Sequence, residues 1–176
     1  LDCDMIMIAP GPNDGSLEAA AANFRLGGEV ARKFGVRLAL EFSVGHRTLN
    51  RLSVAQDILA AANHACCGLL LDIYHLERTG DGARGFHAVP PQQIFAVQYS
   101  DVPAGATSAE RRPIDRLPPG QGIVRWSEVF SLLSEKGYAG YLSYEAPNPI
   151  HWERPPLDVA REGAAAAEWT TEDARD

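Results

Sequence analysis

Five short apolar runs, separated by helix-length or longer connections, constrain the fold of this 176-residue chain more than any other feature. Such runs are typical of strands that are buried on both faces of a sheet. They cover residues 4–9, 36–42, 68–72, 94–99 and 141–145. Parallel neighbouring strands need a helix-length crossover between them, and that crossover is right-handed. The pattern therefore predicts an α/β fold built on one parallel sheet.

Segments with helical periodicity lie between or after most of the predicted strands. The predicted helices cover about residues 17–34, 53–65, 125–136 and 157–167. We expect Ser16 to cap the first helix, and Ser53 with Gln56 to form a capping box at the start of the second. A long stretch rich in proline, glycine and charge, residues 102–123, is predicted to form a loop over the active face.

A barrel is favoured over an open, doubly wound sheet, because no glycine-rich nucleotide-binding loop follows any predicted strand. A complete (β/α)8 barrel takes about 250 residues, and one β/α unit takes about 30. We therefore predict a TIM (β/α)8-type barrel, of which residues 1–169 form a C-terminal part with about five units. The start at Leu1, directly before a strand, supports the expectation of a fragment that lacks three N-terminal units. Residues 170–176 are predicted to be a polar tail.

Charge and cysteine content argue against several classes of protein. The formal net charge of −7 lacks the basic footprint that binding to a long polyanion requires, so no nucleic-acid partner is expected. Three cysteines, two of them adjacent, cannot form a disulfide framework and suit a reducing compartment, so we expect a cytoplasmic protein. Since no apolar run approaches the roughly 18 residues that span a bilayer, no membrane partner is expected.

Four of the five predicted strands end in a polar residue that can bind a metal ion. These residues are Glu41, Asp72, Gln98 and Glu145. The carboxyl ends of parallel strands face one mouth, where three carboxylates would repel one another without a cation. An oxygen-rich set of this kind suits Mn²⁺, Mg²⁺ or Co²⁺ better than Zn²⁺. Alternatively, each residue caps the next helix or forms a surface ion pair, an explanation that weakens when all four are taken together.

Side chains just beyond these strand ends could contact a substrate. His75 could donate to a substrate hydroxyl or carry a proton near neutral pH, or it could be an ordinary loop residue bonded to a carbonyl. Asp101 could contact the substrate or orient a neighbouring ligand, or it could lie in a turn. Tyr74 and Trp152 could pack against the apolar face of a sugar or only anchor loops.

The long loop contributes three arginines, Arg111, Arg112 and Arg116. A guanidinium group can pair with a phosphate or a carboxylate on a substrate. We choose Arg116 for such a contact, because the segment DRLPPGQG indicates an ordered return to the barrel rather than a flexible tip. The other two arginines are expected on a solvated face of the loop.

Five motifs occur in a fixed order along the chain, LALEF, LLLDIYH, VQYSD, PGQG and GYLSYE. In this order they resemble the sugar phosphate isomerase/epimerase family, the xylose isomerase-like TIM barrels, from about Ile6 to Ala167. That family also includes inosose and 3-dehydroshikimate dehydratases, tagatose and psicose epimerases, and endonuclease IV. The resemblance implies that the four strand-end residues bind one divalent metal and that His75 contacts the substrate. Gln98 stands where histidine is frequent in the epimerases. A glutamine at this position resembles the 3-dehydroshikimate dehydratase-like branches.

The resemblance also implies a mechanism, in which a metal ion stabilises the enediolate formed by proton abstraction beside a carbonyl. Glu41 and Glu145 would act as base and acid on opposite faces of the substrate. Reprotonation of the enediolate gives isomerisation or epimerisation of a small polyhydroxylated carbonyl compound. Loss of a β-hydroxyl from the same species gives dehydration instead.

Three functions therefore remain as hypotheses from the sequence. A metal-dependent sugar isomerase or epimerase comes first, and a lyase of the inosose or 3-dehydroshikimate dehydratase type comes second. A non-catalytic barrel fragment is the third, and it would pair the strand-end acids with Arg or Lys instead of gathering them at a cavity. Related barrels often dimerise, so a homodimer is among the expected assemblies.

Overall fold

A computed structural model describes residues 3–9, 11, 15–105 and 114–172, with side chains described as far as residue 166. The strands are β1 Met5–Ile8, β2 Arg37–Glu41, β3 Cys67–Asp72, β4 Ile94–Tyr99 and β5 Leu142–Tyr144. The helices are α1 Leu17–Lys33, α2 Leu52–Ala62, α3 Ile73–Arg78, α4 Trp126–Glu135, α5 Pro149–Trp152 and α6 Pro156–Glu172. No helix in the described ranges combines the length and the apolarity needed to cross a membrane.

The five strands form one sheet in which every pairing is parallel. Their order in space, β1-β2-β3-β4-β5, is the same as their order in the chain. A doubly wound sheet reverses its strand order at a switch point, whereas a barrel adds each strand beside the one before it. The strand order confirms the predicted barrel type, here as a partial barrel of five strands.

A contact between β1 and β4 shows that the sheet is curled. The side-chain amide of Gln98 on β4 lies 3.4 Å from the sulfur of Met7 on β1. Neighbouring strands lie about 4.8 Å apart, so these two strands would be about 14 Å apart in a flat sheet. The concave face of the sheet is therefore the inside of the partial barrel.

The convex face of the sheet carries the main hydrophobic core. Side chains from the central strands, among them Leu40, Leu69 and Val97, are buried there together with the apolar faces of the helices. α1 contributes Phe24 and α4 contributes Leu132 to the same cluster. The helices thus cover the outside of the barrel and leave its inside to the strands.

The concave face carries a second, small cluster formed by Ala39, Leu70 and Ala96. Side chains alternate between the two faces of a strand, so the residue two positions further along faces the same side. At those positions the sequence has Glu41, Asp72 and Gln98. The alternation therefore places three of the predicted metal ligands inside the barrel, above an apolar floor.

Two helix starts illustrate where capping could be predicted. The Ser16 hydroxyl accepts a hydrogen bond from the Ala19 amide at 3.2 Å, as predicted for the first helix. The predicted capping box of Ser53 and Gln56 is wrong, because α2 begins at Leu52 and its N-cap residue, Arg51, makes no side-chain cap. Ser53 already lies inside the first turn and cannot occupy the capping position.

The position of Leu71 on the convex face leads to a stability prediction. Leu71 has no exposed surface, whereas Leu26 on α1 is 65% exposed. We expect Leu71→Ala to lower the free energy of unfolding by about 2–5 kcal/mol, since a buried cavity is left behind. Leu26→Ala, the same chemical change at the surface, should alter it by no more than about 0.5 kcal/mol. Equal losses in urea denaturation would contradict the assignment of this face as the core.

Candidate metal centre

The predicted ligands lie at one edge of the sheet. β2 ends at Glu41, β3 ends at Asp72, and Gln98 is the penultimate residue of β4. Asp72 pairs in register with Gln98, so their side chains leave the sheet side by side. Glu145 follows directly after β5 and its amide donates to the Tyr99 carbonyl at 3.2 Å. The four residues therefore meet at the carboxyl ends of neighbouring strands.

Three of the side chains at this edge are close enough to hold one ion. One ligand atom from each of Glu41, Asp72 and His75 lies within 4.8 Å of the other two. His75 reaches this position because Asp72 caps α3, its carboxylate accepting from the Tyr74 amide at 2.9 Å. The first turn of α3 then returns His75 to the mouth of the barrel. A residue predicted to contact substrate thus shares a cluster with predicted metal ligands.

Arg116 enters the cluster from the long loop. Its Nη1 atom lies 2.7 Å from Asp72 Oδ2 and 3.2 Å from Glu145 Oε2. Its Nη2 atom lies 3.3 Å from His75 Nε2, and its side chain is 3% exposed. Glu145 therefore joins the other acids through a shared guanidinium. The structure combines two arrangements that the sequence left as alternatives, since the acids converge and two of them also pair with an arginine.

Two buried oxygen atoms in this centre, Asp72 Oδ2 and Gln98 Oε1, accept no hydrogen bond from the described residues. Asp72 Oδ2 forms an ion pair with Arg116 Nη1 at 2.7 Å, a contact without hydrogen-bond geometry. A buried acceptor left without a donor costs about 1–3 kcal/mol. A divalent cation would satisfy both oxygens, because carboxylate and carbonyl oxygens are ligands that hard cations prefer. The residues present therefore fit a metal ion.

The pKa values of the three carboxylic acids are all shifted upwards. Burial, reinforced by the charges of Asp72 and Glu145, raises the pKa of Glu41 from 4.5 to about 8. Burial also raises the pKa of Asp72 and of Glu145, although the nearby Arg116 opposes both shifts. One guanidinium thus does not compensate three carboxylates in this environment. A further positive charge at the centre would favour their ionised forms.

His75 is neutral at physiological pH. Burial, with a smaller contribution from Arg116, lowers its pKa to about 3. Its 3.7 Å contacts with Glu41 and Asp72 are therefore not ion pairs. The Val44 amide faces Nδ1 of His75, and Arg116 Nη2 faces Nε2. A neutral imidazole can accept a hydrogen bond at only one of these two nitrogens. These properties favour a hydrogen-bonding role for His75 over a proton carrier at neutral pH.

Asp101 is occupied by donors from its own chain. Its Oδ1 atom accepts from the amides of Val102 and Val124, at 2.8 and 3.0 Å. Its Oδ2 atom accepts from the Gly120 amide and the Trp126 indole, at 2.8 and 3.0 Å. The residue is completely buried. We therefore propose that Asp101 holds the two ends of the loop together, in place of the predicted substrate contact.

Two residues that contact Arg116, Ser100 and Asn148, were not singled out from the sequence. The Ser100 hydroxyl lies 3.3 Å from Arg116 Nη1, and the Asn148 side-chain amide donates to the Arg116 carbonyl at 3.0 Å. Tyr74 is completely buried beside Arg116, which fits loop anchoring, whereas Trp152 is 65% exposed. Ser100 lies in the VQYSD motif and Tyr74 in LLLDIYH, but nothing in the sequence shows that these side chains contact Arg116. Of the remaining loop arginines, Arg111 and Arg112 lie outside the described residues.

Comparisons with known proteins identify the family of this chain. The sequence model of the family named xylose isomerase-like TIM barrel matches residues 1–170. An inosose isomerase from Halalkalibacterium halodurans is 32% identical over 130 residues, covering 71% of this chain and 44% of the relative. A 3-dehydroshikimate dehydratase from Pseudomonas putida is 30% identical over 155 residues, covering 87% of this chain and 24% of the relative. The chain thus spans less than half the length of these relatives.

A solved structure, that of the IolI protein with a bound zinc atom, has a similar fold. It superposes with a TM-score of 0.86 at 21% sequence identity. The superposition covers 97% of this chain and 64% of that chain. At this level of identity the likeness concerns the fold, and it shows that the described helices and strands are arranged like a part of that structure.

The raised pKa of Glu41 predicts how the stability of the protein depends on pH when a chelator keeps it free of metal ions. Between its ordinary pKa of 4.5 and the folded value of about 8, folded protein binds a proton that unfolded protein has released. This stabilisation is complete below about pH 4.5 and is lost as the pH rises through 8. Urea denaturation in chelator should therefore show stability falling across this window. Glu41→Gln should flatten the fall, and the exposed Glu153→Gln should not; a slope unchanged by Glu41→Gln would contradict the shift.

The four hydrogen bonds to Asp101 predict a large effect of a small change. Asp101→Asn replaces one acceptor oxygen by a donor, and it leaves buried N–H groups unpaired at a cost of at least about 1–3 kcal/mol. We expect lower stability in urea and a displaced indole N–H resonance of Trp126. Asp81→Asn is the matched control, because that carboxylate accepts from Thr79 at the surface. An unchanged Trp126 resonance would argue against the clamping role.

Proposed function

This chain belongs to the xylose isomerase-like TIM barrel family, and on that premise we propose that it works as a metal-dependent sugar isomerase or epimerase. The substrate would be a small polyhydroxylated carbonyl compound. The observation that carries this proposal is the gathering of Glu41, Asp72 and His75 beside the unpartnered oxygen of Gln98. The relatives are enzymes that are named for reactions on such compounds. A cytoplasmic location and a homodimer stay predictions.

For the metal ligands we propose the set predicted from the sequence, Glu41, Asp72, Gln98 and Glu145. The neutral imidazole of His75 lies in the same cluster and is a further candidate. The oxygen-rich set favours Mn²⁺ or Mg²⁺, whereas a histidine ligand and the zinc atom of the solved relative support Zn²⁺. When bound, the ion would supply a positive charge that polarises a substrate carbonyl.

We propose that Glu41 and Glu145 exchange protons with the substrate. Glu41 is buried inside the barrel, while the side chain of Glu145 is 39% exposed at the mouth. The two groups thus reach a substrate between them from different depths. A carboxylate beside the substrate carbon removes a proton, and the other acid returns one, so each needs a pKa near the working pH. The raised pKa of both groups is consistent with this exchange.

Arg116 and His75 are proposed to hold the oxygen atoms of the substrate. Arg116 Nε is buried and donates to no acceptor among the described residues, so it has a hydrogen bond to offer. A buried donor of this kind becomes satisfied when a substrate hydroxyl or carboxylate binds. Neutral His75 can donate to a second oxygen. These two side chains would therefore orient the substrate relative to the two glutamates.

A lyase of the dehydratase type is the second candidate. The match to the 3-dehydroshikimate dehydratase relative covers 87% of this chain. The resemblance found in the sequence also places Gln98 with the dehydratase-like branches. A guanidinium such as that of Arg116 suits a substrate that carries a carboxylate. In this reaction, the same proton abstraction is followed by departure of a β-hydroxyl group, which leaves as water after protonation. The residues of the centre are the same in both proposals.

Metal binding to the purified protein tests the proposed centre. We expect calorimetry with Mn²⁺ to show one ion per chain, and Glu145→Gln to weaken binding by more than about 10-fold, since loss of a ligand exceeds the loss of a supporting contact. Glu153→Gln, an exposed position, is the control and should bind as the wild type does. Absence of binding to the folded wild type would overturn the proposed metal centre.

Product analysis separates the two reactions. Ketoses, inososes and 3-dehydroshikimate incubated with the metal-loaded protein in D₂O can be followed by NMR. An isomerase or epimerase should exchange the proton beside the carbonyl for deuterium and keep every hydroxyl group. A lyase should release water and give an unsaturated product. Exchange without loss of water would support the first proposal and exclude the second for that substrate.

A further inference from the structure

The guanidinium of Arg116 is delivered to the centre by a loop. The described residues on either side of Arg116 belong to no helix or strand, apart from a single antiparallel bridge between Asp101 and Leu117. Even so, the Arg116 side chain is 3% exposed and lies within hydrogen-bonding distance of several groups. A loop can place a side chain reproducibly only when other contacts fix its backbone. The contacts of the neighbouring residue, Asp115, supply this restraint.

Asp115 is held by two side chains of α3. Arg78 Nη2 donates to Asp115 Oδ2 at 2.6 Å, and the Tyr74 hydroxyl donates to Asp115 Oδ1. Arg78 Nε also lies 3.2 Å from the Tyr74 hydroxyl, so the three groups form a closed set. The charged pair is well shielded, since the Arg78 side chain is 7% exposed. Both oxygens of Asp115 are therefore tied to one turn of one helix.

The same helix also holds the other limb of the loop. Arg78 Nη1 donates to the Gly105 carbonyl at 2.7 Å. Gly105 precedes the part of the loop between residues 106 and 113, and Asp115 follows it. One guanidinium group thus connects both limbs to α3. Since Asp72 starts this helix at the end of β3, the connection continues into the sheet.

Tyr74 supports Arg116 directly as well. The guanidinium carbon of Arg116 lies 4.5 Å from the centre of the Tyr74 ring, a distance typical of a cation–π contact. The ring also meets the His75 ring edge-on, with centroids 5.5 Å apart. One tyrosine therefore contacts Asp115 through its hydroxyl, Arg116 through the face of its ring, and the ring of His75 in a T-shaped arrangement.

We propose that Tyr74, Arg78 and Asp115 form a loop latch whose function is to position Arg116 for its substrate contact. This inference rests on the proposed function, in which Arg116 binds the substrate, and it assigns the three residues as positioning residues. None of them needs to touch the substrate or the metal. The latch acts by fixing the backbone on one side of Arg116 and the ring beneath its side chain.

Three variants of the purified protein test the latch. Tyr74→Phe keeps the ring beneath Arg116 and removes the hydroxyl, and Asp115→Asn removes the charge at a partly exposed position where folding should survive. The double variant combines them. Glu135→Gln is the matched control, because Glu135 forms a comparable carboxylate–guanidinium pair with Arg84 at 3.1 Å on the surface.

The position of Arg116 can be followed without any substrate through its Nε–H resonance in ¹⁵N NMR spectra, assigned with Arg116→Lys. Both single latch variants should shift or broaden this resonance. The effect of the double variant should be smaller than the sum of the two single effects, because both changes act on the same closed set of contacts. The control should leave it unchanged. An Arg116 resonance that stays in place in both latch variants, with only lower stability, would overturn the proposal.

Turnover and metal binding provide a second measurement. With any substrate that the wild type converts, the latch variants should lose about 10- to 100-fold in kcat/KM through misplacement of Arg116. They should still bind one Mn²⁺ ion per chain, since every proposed metal ligand is kept. Arg78→Lys should restore part of the activity that Arg78→Met loses. A displaced Arg116 resonance in a protein that converts none of the tested compounds would support the latch and count against the proposed function.

Discussion

The rest of the site depends on the carboxylate of Asp72, which is completely buried at the end of β3. A buried charge is costly unless a partner compensates it, and each oxygen of this carboxylate has one partner. The Tyr74 amide on one oxygen starts α3, and Arg116 lies against the other oxygen. Through these contacts a single side chain connects a strand, a helix and a loop. A divalent ion would complete the compensation at the oxygen that still lacks a hydrogen bond.

The curl of the sheet explains why the acidic side chains meet inside the barrel. Alternation along β2 to β4 directs one set of side chains to the helices and the other to the concave face. The floor of that face contains two alanines, Ala39 and Ala96, and small residues there let the strands approach across the barrel. Gln98 can then reach Met7 on β1. A flat sheet with the same residues would spread its strand-end carboxylates over too wide an edge to share one cation.

The parts of the structure that repeat were predictable from the sequence, and the parts that depend on single long-range contacts were not. β4 has the predicted bounds, and the strand-end residues could be recognised because each follows an apolar run. By contrast, α3 is too short for its periodicity to stand out. The partners of Asp115 are 37 and 41 residues away, across a loop without a pattern. The saturation of Asp101 by four donors was equally hidden, because three of them come from residues 120–126.

Some residues of the proposed site lie at strand ends, and Arg116 lies on a loop. This difference bears on which reaction the proposed enzyme performs. Strand ends supply the proposed metal ligands, including both glutamates, and in the proposed mechanism these would serve isomerisation and dehydration alike. The two reactions diverge only in the fate of a β-hydroxyl group, which must receive a proton in order to leave. In the proposed site, whether a donor faces that hydroxyl would depend on how Arg116 orients the substrate. In this proposal the loop, and the contacts that hold it, would decide the outcome of chemistry that the barrel initiates.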